Sequence, residues 1–457
     1  MDVLQALQER GMESVLGAAR QAGSEFETSL WADLSKVDWP SLDRQRRALE
    51  EEPSTPGERI LPPTIQPAST GEPSANAEAK EMGWAALKAG RVALATVAGG
   101  QASRLGFSGP KGAYPLGPVT GASLFQMMAG QVSRLRKLSG SKLPWIIQTG
   151  PANHLETVAF FAERDFFGLG QKTVHFACQG TLPALSEKGQ FLLESPGALF
   201  RNPDGHGGFF KAIRNSEIGS KLRDMGIDIV YYCQVDNPLV RMADPIFIGH
   251  HLLQQAKMSV KVVAKTDPLE KVGLIIQREG GRLGCIEYSD LAQDLAEQRT
   301  ENGELRFLAG NLAIHCFNLS FLEEMAEAAL PLHLAHKQVL ALKGEQPQPI
   351  LQPGIKFETF VFDALTLADH AMVQMAVREE EFAPVKNRSG SDSIQTSRDA
   401  LNARTRNWAV SAGLKPAPTG SIEISPGLCY DEEDLLSQSK KIAMKFQGHL
   451  VCTKGGS

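Results

Sequence analysis

Between about Glu81 and Asn387 the chain alternates short apolar runs with stretches of helical spacing. The apolar runs fall at Ala93–Ala98, Trp145–Thr149, Val174–Ala177, Ile227–Val235, Met258–Val263 and Gly273–Ile276. Short, apolar and partly β-branched, they have the character of strands covered on both faces. Their alternation with helical stretches predicts an α/β fold, a mostly parallel central sheet flanked by helices. Ligands on such sheets gather beyond the carboxyl ends of the strands. The flanks of the chain read differently. Residues 1 to about 50 space Leu, Val, Ala and Trp at helical intervals among many charges, predicting a small helical subdomain. From Glu51 to about Ala79 the chain is rich in Pro, Ser, Thr, Gly and Glu and reads as an extended connector. After about Ala400, Pro416, Pro418 and Pro426 alternate with short pieces such as Ser421–Ile424, predicting a small β-rich appendage. The domain reading is therefore 1–80 (helices plus connector), 81–395 (the α/β sheet domain) and 396–457 (β-rich appendage).

Composition narrows the function classes. At 457 residues the chain exceeds one compact core of ordinary size. A net charge of -5 argues against nucleic acid as the main partner, so any anion site is a local concentration of cations. Cys178, Cys233, Cys285, Cys316, Cys429 and Cys452 are scattered, with no paired or metal-ligand spacing, and read as mostly buried, reduced residues. The first ten residues are amphipathic and lack the apolar core of a secretory signal. No run reaches the roughly 18 apolar residues that a membrane span requires, so no membrane partner is expected and a cytoplasmic location is.

The strongest chemical signal follows the first strand. Val97-Ala-Gly-Gly-Gln-Ala-Ser-Arg-Leu-Gly-Phe-Ser-Gly-Pro-Lys-Gly112 places glycines, an arginine and a lysine where the strand ends. Gly99 and Gly100 are expected to let the backbone turn and offer its N–H groups to an anion, while Arg104 and Lys111 add positive charge. Neither a P-loop nor a dinucleotide fingerprint fits, because Lys111 lies between Pro110 and Gly112 and no G-x-G-x-x-G is present. An ordinary glycine-rich strand–helix loop is the plainer alternative. Further on, Ile229-Val-Tyr-Tyr-Cys-Gln-Val-Asp-Asn237 sets Asp236 at a strand end. One carboxylate there suffices for Mg2+, which completes its shell with substrate phosphate oxygens and water; the same Asp-Asn-Pro also serves as a turn initiator or helix cap.

The glycine-rich segment resembles the G-G-x-x-x-R-L-G-x-x-x-P-K-G signature of the UDP-sugar pyrophosphorylases. Val235-Asp-Asn-Pro-Leu-Val240 and Ala243-Asp-Pro-Ile-Phe-Ile-Gly249 are similar to V-D-N-x-L-V and A-D-P-x-F-I-G of the eukaryotic-type UDP-N-acetylglucosamine pyrophosphorylase family. The likeness runs in order across most of residues 90–390. It implies the following roles. Gln179, in Gln179-Gly-Thr-Leu-Pro183, reads the uracil edge. Gly205 lets the backbone approach the base or ribose and His206 reaches a phosphate. Gly273, Glu287 and Asn311 face the hexose. Phe360 and Phe362, with Lys356 in the strand-like Ile355-Lys-Phe-Glu-Thr-Phe-Val-Phe-Asp363, sit at the sugar or its N-acetyl methyl, although alternating aromatics also read as core. Lys386, in Glu381-Phe-Ala-Pro-Val-Lys-Asn387, contacts phosphate. Two departures stand out: Ala102 and Ser103 replace the usual Gly-Thr, and Gly205-His-Gly207 resembles the glucose-1-phosphate enzymes.

The resemblance implies a uridylyltransferase: UTP and N-acetylglucosamine 1-phosphate give the UDP-sugar and pyrophosphate by in-line attack on the α-phosphorus, with Mg2+ or Mn2+ on Asp236. Arg104 would hold pyrophosphate, Lys111 the nucleotide phosphates and Lys386 the reacting phosphoryl group. A glucose-1-phosphate or broad-specificity enzyme is the alternative within this chemistry. A non-catalytic UDP-sugar sensor would not need these cations, and a glycosyltransferase would usually present Asp-x-Asp, which Val235-Asp-Asn237 lacks.

Overall fold

The computed structural model describes residues 2–50, 59–68, 73–342, 348–416, 419–446 and 450–454. They divide into two compact units. The first joins residues 1–58, 179–208 and 329–363; the second joins 59–178, 209–328 and 364–457. This division does not follow the three consecutive stretches read from the sequence.

In the first unit the helices Leu16–Ala22, Ser24–Leu34 and Trp39–Glu50 turn one apolar face inward. Their partners come from far along the chain. Leu16, Leu30, Leu34 and Leu42 pack with Leu185, Leu199, Ile355 and Phe357. Asp33 fastens the junction, accepting the Leu199 N–H at 2.9 Å and pairing with Arg201 at 3.1 Å. The strands His333–Ala341 and Ile350–Glu358 form an antiparallel pair in this unit.

The second unit is built on a ten-stranded sheet. Its main order is Ile65–Gln66, Ala371–Met375, Met258–Ala264, Ala309–Asn318, Ile229–Gln234, Val92–Val97, Trp145–Thr149 and Val174–Cys178. Val92–Val97 lies parallel to both of its neighbours, buried as its β-branched and alanine sequence requires. Each expected run in this unit forms a strand within a residue or two of the predicted bounds. Ala309–Asn318 was not expected. It runs antiparallel to both neighbours, and a register break opposite Lys261/Val262 leaves Ala313 left-handed at φ 53°.

Two expectations at the flanks need correction. Residues 51–58 and 69–72 of the expected connector lie outside the described residues, but Pro73–Lys88 is a helix, so the connector does not extend to Ala79. Short polar residues masked the helical spacing there. The C-terminal stretch opens with the long helix Ile394–Ser411, whose N-terminus is fixed by a Ser393/Thr396 capping box, before the three short strands Ile422–Ile424, Ile442–Phe446 and Leu450–Lys454. No described helix is long and apolar enough to cross a membrane.

Pro73–Lys88 packs on Pro245–Leu253 at a glycine crossing. A Cβ at Gly249 would collide with the Ala79 carbonyl, and one at Gly83 with the Pro245 carbonyl. Gly249→Ala gains about 1 kcal/mol of helix propensity. The obstruction is backbone and cannot rotate aside, so overpacking of about 2–3 kcal/mol prevails. Thermal unfolding should show a melting temperature lowered by several degrees; an unchanged midpoint would mean the helices do not pass this closely.

Candidate functional site

The glycine-rich loop leaves Val92–Val97 and folds back on itself. The Lys111 N–H donates to the Gly100 carbonyl at 3.1 Å and the Ala102 N–H to the Gly109 carbonyl at 3.0 Å. Asn153, 1% exposed, braces it by donating to the carbonyls of Ala98 (2.8 Å) and Gly100 (3.2 Å) while accepting the Gly150 N–H. Sequence reasoning missed Asn153; its signal is a lone amide just past the next strand.

The glycines act differently from expectation. Gly99 and Gly100 are not among the left-handed residues; Gly106 (φ 73°) and Gly109 (φ 133°) make the turns. Among the described residues nothing lies within 4 Å of a Cβ built on Gly100, so their packing does not demand glycine there. That open space is where a ligand could approach the backbone. Gly112, by contrast, is required for packing, since a Cβ would run into the Phe125 ring.

Lys111 opens the short 3-10 helix Lys111–Ala113, and its Nζ meets the Asp236 carboxylate at 3.0 Å. Both side chains are largely covered, at 17% and 14% exposure. Asp236 stands two residues beyond Ile229–Gln234, at the strand's carboxyl end. The Val385 N–H donates to the Asp236 carbonyl at 2.8 Å, which brings the neighbouring Lys386 to the same strand edge. Asn237 completes this join: Nδ2 donates to the Glu381 carbonyl at 2.7 Å and Oδ1 accepts the Ala383 N–H. Lys386 lies 3.5 Å from Asp392, itself left-handed at φ 49° with its carbonyl accepting the Lys386 and Asn387 N–H groups.

Arg104 is exposed in the 3-10 helix Ser103–Leu105. The exposed Arg388, which the sequence reading passed over, brings its guanidinium within 3.7 Å of where a Cβ of Gly106 would stand. No described group of three or more His, Cys, Asp and Glu residues is placed to hold a metal ion. A single carboxylate such as Asp236 would suit a cation that draws its other ligands from phosphate and water.

The sugar candidates of the second unit also come together. The Asn311 N–H donates to the Gly273 carbonyl at 2.8 Å, and a Cβ on Gly273 would stand 2.9 Å from Cys285 Sγ and 3.3 Å from Glu287 Oε1. Asn311 Oδ1 accepts from the Ala313 N–H and its Nδ2 donates to Cys285 Sγ at 3.7 Å, so the amide is held by the bulge on one side and the hairpin Leu274–Gln277/Leu283–Ile286 on the other.

In the first unit Gln179 is 8% exposed, and its neighbour Gly180 accepts the Asp204 N–H at 3.1 Å, joining the two expected nucleotide loops. Gly205 (φ 83°) packs on Thr359, whose carbonyl a Cβ would strike. Phe360 and Phe362 lie beyond the strand, which ends at Glu358, with Phe362 inside the 3-10 helix Val361–Thr366. Phe360 stacks with two imidazoles, His206 at 4.9 Å and His333 at 4.1 Å between ring centres, and His333 Nε2 is bonded to Asp363 at 2.8 Å. Lys356 stands apart from this stack, its Nζ 5.4 Å from the Phe200 ring centre.

His206 Nδ1 accepts the Val361 N–H at 3.0 Å, so the proton of the neutral ring is on Nε2. Burial, and then the charge of His333, push its pKa from 6.5 down to about 4. The ring is therefore a neutral Nε2–H donor rather than a cation. The unfolded chain binds this proton more readily, so the stability tied to neutral His206 is complete above 6.5 and lost as pH falls toward about 4. Melting temperature should fall between about pH 7 and pH 4.5, and His206→Gln should flatten part of that fall. His251, lowered to about 4 by its own burial, supplies another part.

The chain is similar to known proteins along most of its length. Residues 55–427 match the family described as UTP-glucose-1-phosphate uridylyltransferase. UDP-N-acetylglucosamine diphosphorylase 2 of Arabidopsis thaliana is 33% identical over 95% of this chain and 90% of its own length. UDP-N-acetylglucosamine pyrophosphorylase of Saccharomyces cerevisiae is 35% identical over 84% and 83%. Among solved structures, the UDP-N-acetylglucosamine pyrophosphorylase of Trypanosoma brucei superposes with a TM-score of 0.82 at 26% identity, covering 95% of this chain and 93% of that one.

Proposed function

Because this chain belongs to the UTP-glucose-1-phosphate uridylyltransferase family, we propose that it transfers the uridylyl group of UTP to N-acetylglucosamine 1-phosphate, releasing pyrophosphate. The observation that carries the reading is the meeting of Lys111, Asp236 and the Lys386 segment at one strand edge. The choice of sugar is supported by the relatives, which bear the N-acetylglucosamine name.

In this reading an oxygen of the sugar phosphate attacks the α-phosphorus of UTP, and the bond from that phosphorus to the bridging oxygen of pyrophosphate breaks. Reactant, partner and leaving group are all anions, so the protein's work is alignment and neutralisation. Lys111 leaves Asp236 for a nucleotide phosphate oxygen, and Asp236 is thereby released to hold Mg2+ or Mn2+. The cation, when bound, neutralises phosphate charge and makes the α-phosphorus more electrophilic. Lys386 stabilises the reacting phosphoryl group, and Arg104 takes the departing pyrophosphate. Gly273, Glu287 and Asn311 read the hexose hydroxyls; buried polar groups that must pair give steep discrimination. Gln179, Gly205 and His206 are assigned to the nucleotide, and Lys356, Phe360 and Phe362 to the sugar, on the resemblance alone.

The test is pyrophosphate release from UTP and Mg2+ with either N-acetylglucosamine 1-phosphate or glucose 1-phosphate. A higher kcat/KM for the amino sugar is expected. Preference for glucose would reassign the sugar, and release with neither would end the catalytic reading.

A further inference from the structure

Lys261 is a charged residue inside an apolar strand, Met258–Ala264, and no part of its side chain is exposed. Its Nζ lies 2.6 Å from Asp244 and 2.5 Å from Glu381, both also buried. Burial pulls the ammonium toward neutrality, but Asp244 and Glu381 outweigh that and keep it charged. Taking three ionic groups out of water is costly, and such an arrangement is poor evidence for stability by itself. What it offers is a fixed geometry, and the hydrogen bonds around it run toward the proposed reaction centre.

Asp244 caps the helix Pro245–Leu253 through the Ile246 N–H and is preceded by the left-handed Ala243 (φ 49°). Glu381 ends the short helix Arg378–Glu381, and the chain runs from it directly to Lys386. The Glu381 carbonyl accepts from Asn237 Nδ2, Asn237 Oδ1 accepts the Ala383 N–H, and the Asp236 carbonyl accepts the Val385 N–H. The segment that carries Lys386 is therefore fastened at its origin to Lys261 and along its length to the Asp236 loop.

We infer that Lys261 and Glu381 are positioning residues for the transfer reaction: their buried ion pair holds the Glu381–Asn387 segment so that Lys386 stands beside Asp236. This rests on the assignment of Lys386 to the reacting phosphate. Glu381→Leu removes the link while leaving Lys261 paired with Asp244, and Glu381→Gln keeps the shape and a neutral hydrogen bond.

The test is a double-mutant cycle of Glu381→Leu with Lys386→Ala, following kcat, the UTP dissociation constant by calorimetry and the melting temperature. Glu381→Leu is expected to lower kcat by about tenfold or more with UTP affinity kept within about twofold, and Glu381→Gln to recover part of the loss. If Glu381 acts through Lys386, adding Glu381→Leu to Lys386→Ala costs little more. Multiplying losses would overturn the inference, as would a normal kcat in Glu381→Leu beside a slow Lys386→Ala. A normal kcat in Lys386→Ala would instead overturn the assignment of Lys386, and the inference with it. Should Glu381→Leu fail to fold, the same cycle is read with Glu381→Gln.

Discussion

Lys386→Ala should lower kcat by about 10²–10³-fold, with the KM for UTP changing far less. The size follows from the chemistry assigned to the lysine. A cation aimed at charge that grows during transfer stabilises the transition state more than bound UTP, and loss of one such group costs about 3–4 kcal/mol. The structure gives Lys386 a supported place. Its backbone N–H is tied to the carbonyl of the left-handed Asp392, and the adjacent Val385 is tied to Asp236. Its ammonium is only 3.5 Å from the Asp392 carboxylate, and both side chains remain more than one third exposed. Such a pair holds loosely in water, so phosphate can displace it. Steady-state kinetics decide: equal rises in KM and no change in kcat would make Lys386 a ground-state binding group.

How much of this could be read from the chain depends on distance along it. The glycine-rich loop was legible as a local feature because its glycines and cations lie within one short segment, and the place of Asp236 because a polar residue follows an apolar strand. Even there the sequence misled in detail, since the left-handed turns belong to Gly106 and Gly109 and not to the leading glycine pair. The first unit was illegible as a unit. Leu34 finds its core beside Leu199 and Phe357, and no local pattern encodes a contact across such separations. Phe360 and Phe362 read as alternating strand residues, but the strand stops at Glu358 and the stack of His206, Phe360 and His333 forms only in three dimensions. Ala309–Asn318 was hidden by Asn311, by His315 and by its bulge, which break the twofold period. Lys261 did leave a signal, a lone charge in a buried run, and such a residue is rarely buried without partners.

Asp236→Ala should uncouple nucleotide binding from turnover. Lys111 and Asp236 satisfy one another at 3.0 Å, mostly out of solvent. In the proposed reaction they would part, the lysine to phosphate and the carboxylate to hold a divalent cation, so the pair would compete with the nucleotide for Lys111. Removing the carboxylate leaves Lys111 available at once. UTP measured by calorimetry in excess chelator should therefore bind Asp236→Ala as tightly as the unaltered protein, or up to about tenfold more tightly, since an ion pair of this partial burial is worth at most about 1–2 kcal/mol. Turnover should nonetheless fall by at least about 10²-fold at saturating Mg2+, because in the proposed reaction the cation would lose its protein ligand. Lys111→Ala should do the opposite to binding, weakening chelated-condition UTP while leaving Asp236 free for the cation. If Asp236→Ala weakened metal-free UTP as much as Lys111→Ala does, the carboxylate would be orienting the lysine rather than competing with the phosphates, and the exchange of partners at the centre of the mechanism would be wrong.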